Sequence, residues 1–215
     1  MKQYRIDLHT HSKLSPDGSI DEKDYQKVLS SEKLDFVAIT DHNTIEYALF
    51  CQKKLGQQVI VGEEISTLEG HLIGLFLKSI TKPNQDVLKT AQEVKSQGGL
   101  VYVPHPFDIF RHGIGRKNLE RIQQYIDIVE TVNGRMIVPY FNYQAKIFAT
   151  NHQLLSGFGS DGHDKNSLGN GALLLENVPT SNTSSFKNGI ILSPSFSLMK
   201  FFAPKYNTIK KYLSL

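Results

Sequence analysis

Apolar positions recur along this chain with two periods, and the periods alternate. In Tyr4–His9 the apolar residues Tyr4, Ile6 and Leu8 take every second position, as on a strand with one buried face. Phe36-Val37-Ala38-Ile39-Thr40 is apolar almost without a break, which suits a strand buried on both faces. Between them Tyr25, Val28 and Leu29 are spaced as on one face of a helix, and Asp21 stands where its N-cap belongs. The same spacing predicts helices over Thr44–Leu55, Asn84–Gln97, Arg116–Gln124 and Tyr140–His152, with Gly98-Gly99 stopping the second. Strands are predicted at Gln58–Glu64, His71–Leu77, Leu100–Val103, Ile126–Val132 and Leu155–Gly159. The alternation implies an α/β chain with a parallel sheet and helices outside it. Seven strands in roughly 160 residues suit a small closed or nearly closed barrel better than an open doubly wound sheet. No glycine-rich phosphate fingerprint follows the first strand, which argues against dinucleotide binding.

Composition narrows the setting. The 215 residues suit one domain with a short appendage. No apolar run reaches the roughly 18–20 residues of a membrane span, and the first residues lack the apolar stretch of a secretory signal. Cys51 is the only cysteine, so an internal disulfide and a Cys-pair zinc site are both excluded. A reducing cytoplasm is the expected compartment. The net charge of +3 is uneven. No acidic residue follows Glu176, whereas Lys187, Lys200, Lys205, Lys210 and Lys211 do. Setting those five aside leaves 19 basic against 21 acidic residues, so the body is slightly acidic and the basic character belongs to the tail. The expected division is therefore a barrel domain over 1–176 and a basic C-terminal extension over 177–215. In the extension, Ile190-Ile191-Leu192 is expected at a sheet edge and Ser197–Phe202 and Asn207–Leu213 as helices around Pro204. Packing of Phe201, Phe202 and Leu213 on the body is favoured over a nucleic-acid-binding arm.

Candidate chemistry clusters at the strand ends. The first strand ends in Asp7-Leu8-His9-Thr10-His11, the second in Thr40-Asp41-His42 and the third in Gly62-Glu63-Glu64. His71 opens the fourth, Pro104-His105-Pro106 closes the fifth, and Ser160-Asp161-Gly162-His163 closes the seventh. A single histidine in such a place is unremarkable, but six of eight at or beside strand ends is not a scatter. His112 and His152 fall elsewhere and read as ordinary polar residues. A nitrogen and oxygen donor set without thiolate suits Zn²⁺, Mn²⁺ or Fe²⁺, and the number of donors exceeds what one ion needs. Arg111 and Arg116, after His105, and Arg135, after the sixth strand, are candidates to hold a phosphate bidentately. Cys51 lies on a predicted helix and reads as a small core residue.

In order along the chain, His9-Thr10-His11-Ser12, Ser15-Pro16-Asp17-Gly18, Ile39-Thr40-Asp41-His42-Asn43-Thr44, Gly62-Glu63-Glu64-Ile65-Ser66, His105-Pro106 and Gly159-Ser160-Asp161-Gly162-His163 resemble the PHP family, named for polymerase and histidinol phosphatase domains. The resemblance covers about residues 4–176. It implies a distorted seven-stranded (β/α)7 barrel, TIM-barrel-like, carrying two or three divalent transition metals. The first ion would take His9, His11, Glu64 and Asp161, with Glu64 bridging. The second would take Glu64, His71 and His105, and the third Asp17, His42 and His163. Asp41 would orient ligands from behind. The implied activity is hydrolysis of a phosphomonoester, a nucleotide or an oligonucleotide end, by a metal-activated hydroxide. Arg111 and Arg135 would bind the phosphate. The partners are then a small phosphorylated substrate, with nucleic acid admitted as a second class. Two alternatives stay open: a catalytically silent metal-binding PHP module acting through protein or nucleic-acid partners, and metal-dependent cleavage of a C–N or C–O bond on a similar barrel.

Overall fold

The structure is a computed structural model and describes residues 2–192 together with Pro204, Asn207, Thr208 and Lys211. Its first seven strands, each followed by a turn or a helix, are β1 (Tyr4–Thr10), β2 (Phe36–Ile39), β3 (Val59–Ser66), β4 (His71–Leu75), β5 (Leu100–Val103), β6 (Ile128–Asn133) and β7 (Leu155–Gly159). Helices α1 (Glu22–Ser30), α2 (Glu46–Leu55), α3 (Val87–Ser96), α4 (Gly115–Ile122) and α5 (Pro139–Asn151) lie between them. Asp21 does cap α1: its side chain accepts the Asp24 N–H, and the Asp24 side chain returns to the Asp21 N–H.

Two departures from a uniformly parallel barrel matter. β4 runs antiparallel to both β3 and β5. The Thr67–Gly70 link between β3 and β4 is four residues, enough for a hairpin and far too short for a parallel crossover. The second departure is two further strands, β8 (Ala172–Leu175) and β9 (Ile190–Leu192), so the sheet among the described residues has nine strands. Both extra strands are antiparallel, β8 pairing with β1 and β9 with β8. The α/β barrel expectation therefore holds at the level of a nearly closed barrel-like sheet, and the seven-strand (β/α)7 description is replaced by this mixed nine-stranded sheet. Ile190-Ile191-Leu192 lies at the sheet edge as expected.

The ring comes together at one end. The Asp161 N–H donates to the His9 carbonyl at 2.9 Å, and the His11 N–H donates to the Gly162 carbonyl at 2.8 Å. These bonds join the exit of β7 to the exit of β1. The core divides as alternation along buried strands requires. Val37, Ile39, Val59, Val61, Val101, Val103 and Val129 pack with helix residues such as Tyr25, Ala91, Leu119 and Phe148. Their strand neighbours Phe36, Ala38, Ile60, Tyr102, Ile128 and Phe158 form a second cluster with Ile6, Leu8 and Phe186. Cys51 is buried in α2, as a small core residue.

Beyond β9, Asn207 and Lys211 of the extension reach the body close to the ends of β1 and β7. The Asn207 side-chain amide donates to the carbonyls of Asp17 and His163, at 3.0 Å each, and the Lys211 ammonium donates to the carbonyls of Lys13 and Ser15. The expected helix Ser197–Phe202, most of the expected helix Asn207–Leu213, and the packing of Phe201, Phe202 and Leu213 lie outside the described residues.

Candidate metal centre

The nine histidine and carboxylate side chains singled out in the sequence converge on one end of the barrel. His9 ends β1 and His11 follows it, Asp17 sits in the β1–α1 loop, His42 follows β2, and His105, Asp161 and His163 follow β5 and β7. His71 stands at the start of β4, not the end. Because β4 is antiparallel, Ser66 pairs with His71 and the ring lands beside Glu64 of β3.

Their donor atoms form overlapping groups, each within 4.8 Å: His9 with His11 and Asp161; His9 with Glu64 and His105; His42 with Glu64 and His71; and His11 with Asp17, His42 and His163. His9 Nε2 lies 3.0 Å from His11 Nε2, and Glu64 Oε2 lies 3.1 Å from the latter. The other Glu64 oxygen faces His71 Nδ1 at 2.9 Å and His105 Nε2 at 3.2 Å. Asp17 Oδ2 faces His163 Nε2 at 3.0 Å and His42 Nε2 at 3.7 Å. Lone-pair donors so close repel one another unless protons or cations lie between them. A mixed imidazole and carboxylate set at this spacing fits divalent transition ions. Glu64 spans two groups with its two oxygens. Its neighbour Glu63 points away, accepting the Thr81 N–H at 2.8 Å.

Electrostatics keep the carboxylates ionised. Burial alone would raise the pKa values of Glu64 and Asp161, but His42, His71 and His9 hold Glu64 well below its ordinary value, and Arg135, His9 and Arg111 do the same for Asp161. Burial, then His11 and Arg135, press His163 down to about 4. For His42 burial is outweighed by Glu64 and Asp17, which lift it to about 9.

Behind the donors stands a residue the sequence reading passed over. Glu130 is buried in β6, and its Oε1 meets His9 Nδ1 at 3.0 Å and accepts from the Tyr102 hydroxyl at 2.9 Å. Its Oε2 accepts the His105 N–H at 2.6 Å and the Asn133 amide at 2.8 Å. One carboxylate thus fixes two candidate ligands from behind, the arrangement that sets ring orientation at metal sites. The signal was visible: an acidic residue inside the apolar run Ile126–Val132. Asp41 holds Ser12, next to His11, through its N–H and its hydroxyl. Gly159 leaves the room this needs, since a Cβ there would lie 2.1 Å from Glu130 Oε1 and 2.4 Å from His9 Cβ. His105 and Asp161 both have positive φ, 29° and 50°, unfavourable for side-chain-bearing residues and held by the bonds from their N–H groups to Glu130 and His9.

Arg111 and Arg135 reach the same pocket. Arg111 Nη1 donates to Asp161 at 2.6 Å and to Asn133 at 2.9 Å, while its other nitrogens grip Asp108. Arg135 Nη1 donates to Asp161 at 3.1 Å, and its Nε is buried without a partner among the described residues. Arg116 does not join them: it is 52% exposed and lies over the Phe107 ring. His112 does reach the pocket, with its ring centroid 5.2 Å from that of His71, whereas His152 packs at a tilt against Phe148. The pocket holds about 160 Å³ and is walled by Asp17, His42, Glu64, His71, His105, Asp161 and His163, both arginines, His112 and Phe110.

Comparison with known proteins agrees with this geometry. An uncharacterized protein of Methanocaldococcus jannaschii, MJ0417, is 33% identical over 163 residues, 74% of this chain and 65% of the relative, so the chain spans just under two thirds of that protein. In fold, the chain superposes with a TM-score of 0.68 on a two-domain Bacteroides vulgatus protein containing a predicted PHP-like metal-dependent phosphoesterase, at 16% identity over 96% of this chain and 70% of the other. It also matches the lesion-specific endonuclease PfuEndoQ of Pyrococcus furiosus, with a TM-score of 0.63, at 14% identity over 88% of this chain and 58% of that one. The sequence profile of the PHP domain matches residues 7–162, from the aspartate of β1 to the glycine that closes the ring. A profile match over most of the chain, at the positions that build the pocket, makes this chain a member of the PHP domain family.

Proposed function

We propose that the protein is a metal-dependent phosphoesterase that hydrolyses a phosphomonoester at a centre of three divalent ions. The observation that carries this reading is the meeting of the donor groups with two arginines, Arg111 and Arg135, in one pocket. His9, His11, Glu64 and Asp161 would hold one ion, Glu64, His71 and His105 a second, and Asp17, His42 and His163 a third. Divalent zinc, manganese or iron bound there would acidify water towards neutral pH and neutralise phosphoryl charge. The chain's own groups do the rest. Arg111 and Arg135 bind non-bridging phosphate oxygens and orient the ester. Asp108, Asn133 and Asp161 hold the Arg111 guanidinium in place, so little side-chain freedom is lost when the anion arrives. Glu130 keeps the His9 ring and the His105 backbone from turning. Phosphoryl transfer needs position and charge more than covalent chemistry, and no Gly-x-Ser-x-Gly nucleophile turn occurs in the chain.

The leaving group is a small alcohol, a nucleoside or the end of an oligonucleotide; the fold shared with a lesion-specific endonuclease keeps nucleic acid in the test. A panel of nucleoside monophosphates, short 5′-phosphorylated oligonucleotides and histidinol phosphate, assayed with Mn²⁺ at several pH values, should give phosphate release from at least one member. Silence across the whole panel would remove the proposal in favour of a silent metal-binding module. Against that alternative stands the complete donor set, since every expected position carries a competent side chain.

A further inference from the structure

Beside the metal pocket lies a second cavity of about 180 Å³ of a different character. Phe110, Ile137, Val138 and Phe141 form its apolar walls, and Arg111 and Arg135 form the wall nearest the candidate ligands. Phe110, Arg111 and Arg135 line both spaces, so one substrate can occupy the two at once. Phe110 is 72% exposed, and Ile137 and Val138 are 38% exposed each. Scattered apolar residues on a surface are ordinary, but four lining one concavity against a charged pocket make a binding wall.

The chemistry of the two walls restricts the occupant. Sugar or glycerol hydroxyls facing Phe110 and Ile137 would give up hydrogen bonds to water and find none there, and the lining's one carboxylate, Asp108, already accepts from Arg111 and the Phe110 N–H. A flat aromatic ring gains from burial against Phe and Ile, and its face can also meet a guanidinium. Resting on the phosphoesterase reading above, we propose that this cavity is the leaving-group subsite and receives the heteroaromatic base of a nucleoside monophosphate. The two arginines are the boundary, with phosphate on one side and base on the other. The wall comes from the β5–α4 loop and the start of α5, so leaving-group choice is set by residues that supply no metal ligand.

The test compares adenosine 5′-monophosphate with ribose 5-phosphate, which differ only by the base. Phosphate release is measured for the Mn²⁺-loaded wild type, Phe110→Ala and Ile137→Ser, and adenosine binding to each is measured by calorimetry. Both substituted side chains are solvent-exposed, so the fold should survive. The expected result is a kcat/KM preference for the nucleotide of at least about tenfold in the wild type, falling to within about threefold in the variants, with adenosine binding weakened in parallel. Equal use of both esters by the wild type, or a preference unchanged in both variants, overturns the subsite and leaves the phosphoesterase standing. Adenosine binding that the variants lose, without release from either ester or from any member of the wider panel, overturns the phosphoesterase and keeps the subsite. If the wild type neither turns over an ester nor binds adenosine, both are overturned.

Discussion

Arg111 is held by three acceptors, and that arrangement determines what its loss should do. Its guanidinium bonds Asp108, Asn133 and Asp161, so it is placed before any substrate arrives. Arg111→Ala should keep its metals and lose about 30- to 1,000-fold in kcat/KM, the scale of one charged transition-state contact of roughly 2–4 kcal/mol. Arg111→Lys should recover only part of this, because an ammonium lacks the planar fork. Metal analysis beside steady-state kinetics decides it, and activity within about threefold of wild type would shift the role to Arg135. Glu130 makes a complementary case, since it faces candidate ligands and not the pocket. Glu130→Gln should leave circular dichroism unchanged and weaken metal binding by about 10- to 100-fold in a chelator competition. Wild-type affinity in that variant would show that His9 and His105 need no support from behind. At this scale the sequence revealed the ligand candidates well, because His and Asp at strand ends stand out. Glu130 showed only as an acidic residue in an apolar run; its role was not legible, because His9 and Tyr102 lie 121 and 28 residues away and become its neighbours only through the barrel.

Within β3, adjacent glutamates are driven to opposite fates by the alternation of a strand. Glu64 faces the ligands and is held ionised, while Glu63 is buried against Thr81 with one oxygen unpartnered among the described residues. Burial raises the Glu63 pKa to about 7. The folded state therefore keeps this proton to a higher pH than the unfolded chain, whose glutamate titrates near 4.5. The sign follows: stability from this group is complete below about 4.5 and drains away as pH rises through about 7. Glu63→Gln mimics the protonated form. Its melting temperature should match wild type near pH 4 and exceed it at pH 8, at about 2–4 °C per kcal/mol for a chain of this size. Thermal melts at both pH values check this, and an equal difference at both would show that Glu63 does not titrate in that range. The same element shows why the strand directions were misread. Apolar periodicity locates β3 and β4 but says nothing about their relative direction; the four residues of Thr67–Gly70 do. β8 was missed because Ala172–Leu175 is short and follows a glycine-rich turn, and its pairing with β1 joins residues some 170 apart.

For the whole molecule, metal and fold should be tied together. The donors come from six of the barrel strands or their exits, so ions held there would cross-link the entire ring and bind only the folded form. Protein reloaded with Mn²⁺ or Zn²⁺ should contain two or three ions per chain by elemental analysis and melt several degrees above chelated protein. One ion or none after reloading would rule out the three-ion centre, and His9→Ala or Asp161→Ala should lose both the metal and the thermal gain. The charge balance has a place at this scale too. On the phosphoesterase reading, the slightly acidic body would need its few placed arginines to receive an anion, while Lys211 of the tail reaches the backbone carbonyls of Lys13 and Ser15. In all described segments no helix is long and apolar enough to cross a membrane.

The bonds that join Asp161 to His9 and His11 to Gly162 impose an order in time. During synthesis His9 and His11 leave the ribosome about 150 residues before their partners, a wait of roughly 8–30 s at ordinary elongation rates. For that interval the early histidines and Glu64 form an open, incomplete chelate exposed to whatever ions the surroundings hold. Only the last strand of the ring brings Asp161 and His163, so a cation caught early is bound by fewer donors and is released more readily. If the centre holds metal, selection among competing ions would fall at the moment the barrel closes, when all the candidate donors are together.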